Sequence, residues 1–204
     1  MTDRFALLNE PRRPWLEEEG LKIKFLSLST RAHPDKTLTA KVDERKCAEQ
    51  RYAELNAAYQ CLRDPRERVK HLLELELGTK PKQVQSVPGE LMDCSLAVAQ
   101  LCRQVDAFLA EKATKTSPLL QIPLFERGQD WREKVDRLQN RILLQREELL
   151  RELKALDNQW VSSVALGGDE RNRLLHRLEE LSALLSYFDK WRAQLQERLV
   201  QLSF

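Results

Sequence analysis

The sequence is poor in the residues that build loops and phosphate sites. Only six of its 204 residues are glycine, and none of them belongs to a Gly-rich loop that could hold the phosphates of a nucleotide. Leu, Glu, Arg, Gln and Ala are abundant instead, and these residues favour helix over sheet. The composition therefore predicts an all-α protein.

Cysteine is also scarce, and its spacing argues against a metal site. Cys47, Cys61, Cys94 and Cys102 are irregularly spaced, with no Cys-x-x-Cys and no histidine at ligand spacing, so a zinc site is not expected. Cys61 and Cys94 fall at helix-periodic positions, where a thiol acts as a small buried apolar group. We expect reduced, structural cysteines and no cofactor.

The chain has no excess of one charge and no long apolar run. Its 34 basic and 32 acidic residues are interleaved and leave a net charge of +2, which does not favour a nucleic-acid partner. No segment approaches the roughly 18 apolar residues of a membrane span, and the N-terminus lacks the apolar core of a secretory signal. We expect a cytoplasmic protein that binds neither nucleic acid nor membranes.

Apolar periodicity in the first third predicts two long antiparallel helices. The first runs from about Trp15 to Arg31 and leaves Ile23 and Leu26 on the side away from the core. Its core face is formed by Leu21, Phe25, Leu28 and Ala32. The second, from Val42 to Arg63, has the same spacing at Ala48, Tyr52, Leu55, Tyr59 and Leu62.

Two shorter helices are predicted on either side of this pair. Asp3 is a candidate N-cap for a one- to two-turn helix that ends before Pro11. Asp64 followed by Pro65, with Glu67 two residues later, is a strong start signal, and Gly78 is a stop signal. The first 77 residues therefore contain four predicted helices.

The long helices meet at His33-Pro34-Asp35. A proline disfavours helical backbone in the residue before it, so the incoming helix should stop near Arg31 and His33 should be extended and exposed. Pro-Asp is also a common turn pair, and ordinary turn residues are the alternative interpretation.

Residues 78–88, with Pro81 and Pro88, are interpreted as a linker between a first domain, residues 1–77, and a second, residues 89–204. Three further helices are predicted in the second domain, with a loop over residues 116–128 and a turn at Gly167-Gly168-Asp169. Their apolar stripes include Cys94, Val98, Val105 and Phe108, then Val135, Ile142, Leu153 and Trp160, then Leu178, Leu185, Phe188 and Leu195. A three-helix bundle or an antiparallel coiled coil follows.

Three groups of residues in the first third carry a family resemblance. They are Phe5-Ala6-Leu7-Leu8, His33-Pro34-Asp35-Lys36, and Leu55-Asn56-Ala57-Ala58-Tyr59 followed by Leu62-Arg63-Asp64-Pro65. Together they resemble a J-domain over residues 1 to about 77. The helical bundle that follows, closing with Tyr187-Phe188-Asp189-Lys190, resembles the HscB-type co-chaperones of iron-sulfur cluster assembly.

The resemblance implies a binding partner for His33-Pro34-Asp35, which we call the elbow. His33, Pro34 and Asp35 would engage a DnaK-type chaperone, HscA in the dedicated system, and trigger its ATP hydrolysis. A basic strip on the preceding helix, formed by Lys22, Lys24 and Arg31, would steer the contact. The chain departs from the family at Leu26, Ser27 and Ala32, where cationic or bulky residues are usual. The apolar side chains of Ile23 and Leu26 are therefore an alternative contact.

The resemblance also implies a client, an IscU-type scaffold protein. Leu91, Met92 and Tyr187 match the family's apolar client-binding pattern, and Leu96 is apolar off the main stripe, so these four residues are expected to form one partly exposed patch. Core packing explains Leu91 equally well. The family tends to have glutamates where this chain has Leu96, Ala99 and Arg103.

Two functions remain open at this point. The first is a co-chaperone that delivers an IscU-type scaffold to a DnaK-type ATPase. The second is a general J-domain adaptor with another client, or one that self-associates through its bundle. Since the chain has only three histidines and no phosphate loop, no catalytic constellation can be assigned, and we expect a protein that is not an enzyme.

Overall fold

The computed structural model describes residues 2–33, 42–79, 88–115, 118–163 and 168–203, with only the backbone for Glu90 and residues 118–121. Within these ranges the chain is helical and contains no strand, which confirms the predicted all-α class. The helices are α1 (Arg4–Leu7), α2 (Glu18–Arg31), α3 (Val42–Arg63), α4 (Pro65–Leu77), α5 (Met92–Thr114), α6 (Pro118–Ser163) and α7 (Gly168–Leu202), with a 3-10 turn at Gly89–Leu91 before α5.

Three helix ends are fixed by the residues that signalled them. Oδ1 of Asp3 accepts hydrogen bonds from the backbone N–H groups of Phe5 and Ala6, at 2.9 and 3.3 Å. Oδ1 of Asp64 caps α4 in the same way, at 2.9 and 3.0 Å from the first free N–H groups of that helix. Gly78 ends α4 with a φ of 68°, a left-handed conformation that glycine adopts without strain.

The start of α6 corrects one expectation. The loop predicted over residues 116–128 is wrong from Pro118 onward, because α6 begins there and continues through Pro123. At the first position of a helix a proline loses no hydrogen bond, and Pro123 removes a single bond from the second turn. Leu124 is buried in the core beside it, which favours keeping this turn helical. Residues 116 and 117 lie outside the described part of the chain.

The structure forms two compact units, and each is composed of two stretches of chain. Unit 1 consists of Met1–Lys82 and Leu150–Ser182, and unit 2 of Gln83–Leu149 and Ala183–Phe204. The last part of α6, from Leu150, and the first part of α7, up to Ser182, are therefore in the same unit as the N-terminal helices. Residues 80–87 of the predicted linker lie outside the described ranges, and the boundary at residues 78–88 stays a prediction about which segments fold alone.

Unit 1 has a core in which α1 and α2 pack on α3. The aromatic rings of Phe25 and Tyr59 stack with centroids 4.3 Å apart and planes 10° from parallel. Ile23 and Leu26 are 64% and 51% exposed, which confirms that they lie away from the core. The fully buried side chains of this core include Phe5, Leu8, Leu55, Leu62, Leu72 and Leu73.

Unit 2 is built on the stripes that the sequence predicted for α5, α6 and α7. Its buried core includes Cys94, Val98, Val105, Phe108, Val135, Ile142, Phe188 and Leu195.

Cys61, Cys94 and Cys102 are free buried thiols, and burial raises the pKa of each. None of the helices described is long and apolar enough to cross a lipid bilayer.

Candidate functional site

The elbow that follows α2 carries the first set of predicted site residues. The N–H of Ala32 bonds the carbonyl of Leu28 at 3.1 Å and closes the helix, as the proline signal predicted. The ring of His33 is half-buried rather than exposed, and it meets the ring of Tyr52 on α3 edge-on, with centroids 5.4 Å apart. Pro34 and Asp35 lie outside the described residues.

The three cations of the predicted basic strip on α2 differ in their contacts. The side chains of Lys22 and Arg31 are exposed, and the ammonium of Lys22 lies 3.8 Å from Glu19. Lys24 is used inside unit 1, because its Nζ lies 3.0 Å from the carboxylate of Glu10 and donates to the carbonyl of Asn9 at 3.1 Å. All three side chains of the strip are therefore exposed, and Lys24 is in addition tied to the segment that precedes α2.

Residues 9–17, which we call the strap, connect α1 to α2 and are held by α6. The guanidinium of Arg13 forms a two-point ion pair with Asp157, whose Oδ1 also accepts the backbone N–H of Trp15 at 3.2 Å. Asp157 is buried, and it raises the pKa of Arg13 through hydrogen bonding and charge. The indole N–H of Trp160 donates to the carbonyl of Arg12 at 2.9 Å.

Arg68 of α4 also holds the strap. It is 3% exposed, and its guanidinium donates to the carbonyls of Pro14 and Leu62 at 2.9 and 2.8 Å. Loss of hydration lowers the pKa of Arg68 to about 10. The cation also lies 5.5 Å from the centroid of the Trp15 ring. Arg68 therefore supplies hydrogen-bond donors to two buried carbonyls, one in the strap and one at the end of α3.

His71, also on α4, is a buried acceptor for the start of α1. Its Nε2 accepts the backbone N–H of Arg4 at 3.1 Å, and its ring stacks on that of Phe5 with centroids 5.8 Å apart. The other ring nitrogen faces the carboxylate of Glu74 at 4.0 Å. Burial, followed by the charge of Arg4, lowers the pKa of His71 below its usual 6.5. The folded protein therefore holds this histidine in its neutral form.

Protonation of His71 should weaken the fold in mild acid. Because its folded pKa lies below its unfolded pKa of 6.5, the contribution of His71 to stability is complete above pH 6.5 and is lost as the pH falls through the folded pKa. We expect the free energy of unfolding, measured by urea titration, to fall between pH 7 and pH 5. In a His71→Gln variant the same interval should be flatter, and identical slopes for both proteins would contradict this role.

The four predicted client-binding residues differ in solvent exposure. Leu91 and Tyr187 belong to the buried core of unit 2, where the ring of Tyr187 lies 6.0 Å from that of Trp191. Met92 and Leu96 are 46% and 59% exposed, and their spacing of four residues places them on one face of α5. The exposed part of the predicted patch is therefore this pair on a single helix.

Comparison with known proteins finds HscB homologues by sequence and HscB structures by fold. No protein-family model matches the chain. It is 39% identical over 72 residues to co-chaperone protein HscB homologues of Bordetella pertussis and Bordetella parapertussis, a match that covers 35% of this chain and 42% of each relative. The match thus spans less than half the length of these curated relatives. It confirms the resemblance to HscB-type co-chaperones.

Two solved structures share the fold over almost the whole chain. Chaperone HscB from Vibrio cholerae aligns with a TM-score of 0.52 and 21% identity, covering 95% of this chain and 99% of that one. Human co-chaperone protein HscB aligns with a TM-score of 0.61 and 15% identity, covering 96% and 81%. At these identities the likeness concerns the fold alone, and it supports the predicted order of a helical hairpin domain followed by a helical bundle.

Proposed function

We propose that this protein is a co-chaperone that stimulates the ATPase of a DnaK-type chaperone and brings it an IscU-type scaffold protein. The observation that carries the proposal is the 39% identity to HscB homologues over 72 residues. In this proposal the protein acts in the cytoplasm, has no cofactor and catalyses no reaction itself. The test is whether it accelerates single-turnover ATP hydrolysis by the chaperone.

The chaperone-binding surface in this proposal is the end of α2 and the elbow after it. α2 presents His33 at its end, with Arg31 and Lys22 as exposed cations along the same helix. Such cations speed encounter with an acidic surface and lose effect as salt is added. Ile23 and Leu26 add an exposed apolar contact beside them. Lys24 supports this surface from within unit 1, since Glu10 and Asn9 occupy its ammonium group.

The client-binding surface in this proposal is the exposed pair Met92 and Leu96. Leu91 and Tyr187 lie in the core of unit 2 and support α5 rather than offer contact area. Buried apolar anchors at an interface are each worth about 1 kcal/mol or more. With Ala99 and Arg103 exposed where the family tends to have glutamates, few acidic groups remain to be screened, so binding should depend only weakly on salt.

Removing both exposed side chains should weaken scaffold binding. In a calorimetric titration of an IscU-type scaffold, we expect the Met92→Ala, Leu96→Ala double variant to raise the Kd about thirtyfold, the equivalent of about 2 kcal/mol. Leu144→Ala is the matched control, because Leu144 is an exposed leucine of the same unit, and its Kd should equal that of the unmodified protein. Equal affinity of the double variant would contradict the assignment of this surface.

The second candidate function is a J-domain adaptor for a different client. Arg103 favours it, because a cation occupies an exposed position on α5 where the family pattern has an acid. No binding heat between the scaffold and the unmodified protein, with chaperone stimulation intact, would select this alternative.

A further inference from the structure

The strap is the part of unit 1 from which α2 begins, and three elements hold it. Asp157 and Trp160 of α6 bind Arg13, the backbone of Trp15 and the carbonyl of Arg12. In addition, Arg68 of α4 binds Pro14, and Lys24 of α2 binds Asn9 and Glu10. The strap is therefore held by contacts that extend from Asn9 to Trp15.

Asp157 makes the most connections among the α6 residues at this junction. Its two carboxylate oxygens receive the guanidinium of Arg13 and the N–H of Trp15, and the carboxylate is shielded from solvent. Trp15 precedes the first helical residue of α2, Glu18, by only three positions. A bond to the backbone of Trp15 therefore constrains the place and direction in which α2 starts.

Small changes at the start of α2 are magnified at its end. The helix has 14 residues and is about 21 Å long at 1.5 Å per residue. A rotation of about ten degrees at its first turn would displace its last turn by about 3.5 Å. His33, the exposed cation Arg31 and the apolar side chain of Leu26 all lie in the second half of α2 or just beyond it.

We propose that Asp157 is a positioning residue for the chaperone-stimulating surface, acting through the strap to set the direction of α2. This inference rests on the proposed function and extends it, because it makes a residue of α6, outside the J-domain-like segment, a determinant of stimulation. The chaperone does not need to touch Asp157. The first 77 residues alone would lack this constraint.

The experiment measures how much full-length protein is needed for half-maximal stimulation of single-turnover ATP hydrolysis by a DnaK-type chaperone. Asp157→Leu removes the ion pair with Arg13 and the hydrogen bond from the Trp15 N–H, whereas Asp157→Asn keeps an oxygen that can accept the Trp15 N–H. Asp136→Asn is the matched control, because Asp136 is an exposed aspartate on the same helix. All proteins are assayed at a temperature at which circular dichroism shows them fully folded.

We expect Asp157→Leu to raise the half-saturating concentration about tenfold, a typical size for coupling between two sites, with the maximal stimulated rate retained. Asp157→Asn should have a smaller effect, and Asp136→Asn none. If Asp157→Leu does not fold, Arg13→Gln breaks the same ion pair from the strap and should raise the half-saturating concentration by several-fold.

Two results would overturn the inference. Folded Asp157 or Arg13 variants with the half-saturating concentration of the unmodified protein would show that Asp157 contributes only to stability, and the proposed function would stand. Failure of the unmodified protein to stimulate the chaperone at any concentration would remove the proposed function and this inference with it.

Discussion

Replacing His33 by Gln should abolish stimulation of the chaperone's ATP hydrolysis while leaving the protein folded. We expect the hydrolysis rate in a single-turnover assay to fall to that of the chaperone alone, because this side chain is proposed to act at the contact itself. Asp35→Asn should have the same effect. The resemblance to J-domains places both residues in the motif that triggers hydrolysis.

The half-buried ring of His33 requires a control for local packing. Because it meets the ring of Tyr52 edge-on, His33→Gln removes an aromatic contact as well as an imidazole, at a cost of about 0.5–1.5 kcal/mol. Tyr52→Leu removes the same contact and keeps His33, so it should retain stimulation. Loss of stimulation in Tyr52→Leu, or full stimulation by folded His33→Gln, would contradict the role given to His33.

Replacing Arg68 by Met should be the most destabilising single change outside the apolar cores. The variant leaves the carbonyls of Pro14 and Leu62 without their donors, and an unpaired buried polar group costs about 1–3 kcal/mol. Removing a buried charge offsets part of this cost. We expect the free energy of unfolding, from urea titration, to fall by about 2–4 kcal/mol.

Lys70→Met provides the comparison for that measurement. Lys70 lies on the same helix as Arg68 but is exposed, and its ammonium is 3.9 Å from Glu67. An exposed pair of this kind contributes less than about 1 kcal/mol, so Lys70→Met should change the unfolding free energy little. Equal effects of the two substitutions would show that the carbonyl contacts of Arg68 add nothing to stability.

Helix positions could be predicted from the sequence because local signals and tertiary packing agree. A short-range signal coincides with a buried helix face in each of these cases: the caps at Asp3 and Asp64, the stop at Gly78 and the stripe on α3. The loop expected at Pro118 and Pro123 is wrong because the first position of a helix accepts Pro118 without loss. At Pro123 the burial of Leu124 offsets one lost hydrogen bond.

The composite nature of unit 1 could not be predicted in the same way, because it depends on contacts between residues more than 130 positions apart. One signal was nevertheless present in the sequence. Asp157 follows Leu153 by four residues and precedes Trp160 by three, so it lies on the buried stripe of α6. A charge at such a position indicates a buried partner, although the periodicity does not say that the partner is Arg13.

The candidate site was predicted with similar limits. Exposure of Ile23, Leu26, Met92 and Leu96 follows from their positions off the apolar stripes, and helical periodicity is enough to show it. Burial of Tyr187 and the use of Lys24 within unit 1 depend on the packing of neighbouring segments. Sequence spacing carries no information about that packing.

The most direct test of the account is single-turnover hydrolysis of ATP already bound to a DnaK-type chaperone, measured as this protein is added at increasing concentration. The account predicts a hydrolysis rate that rises and saturates, with a lower half-saturating concentration at low salt because Lys22 and Arg31 are exposed. A rate that stays at the value of the chaperone alone throughout the titration would contradict it.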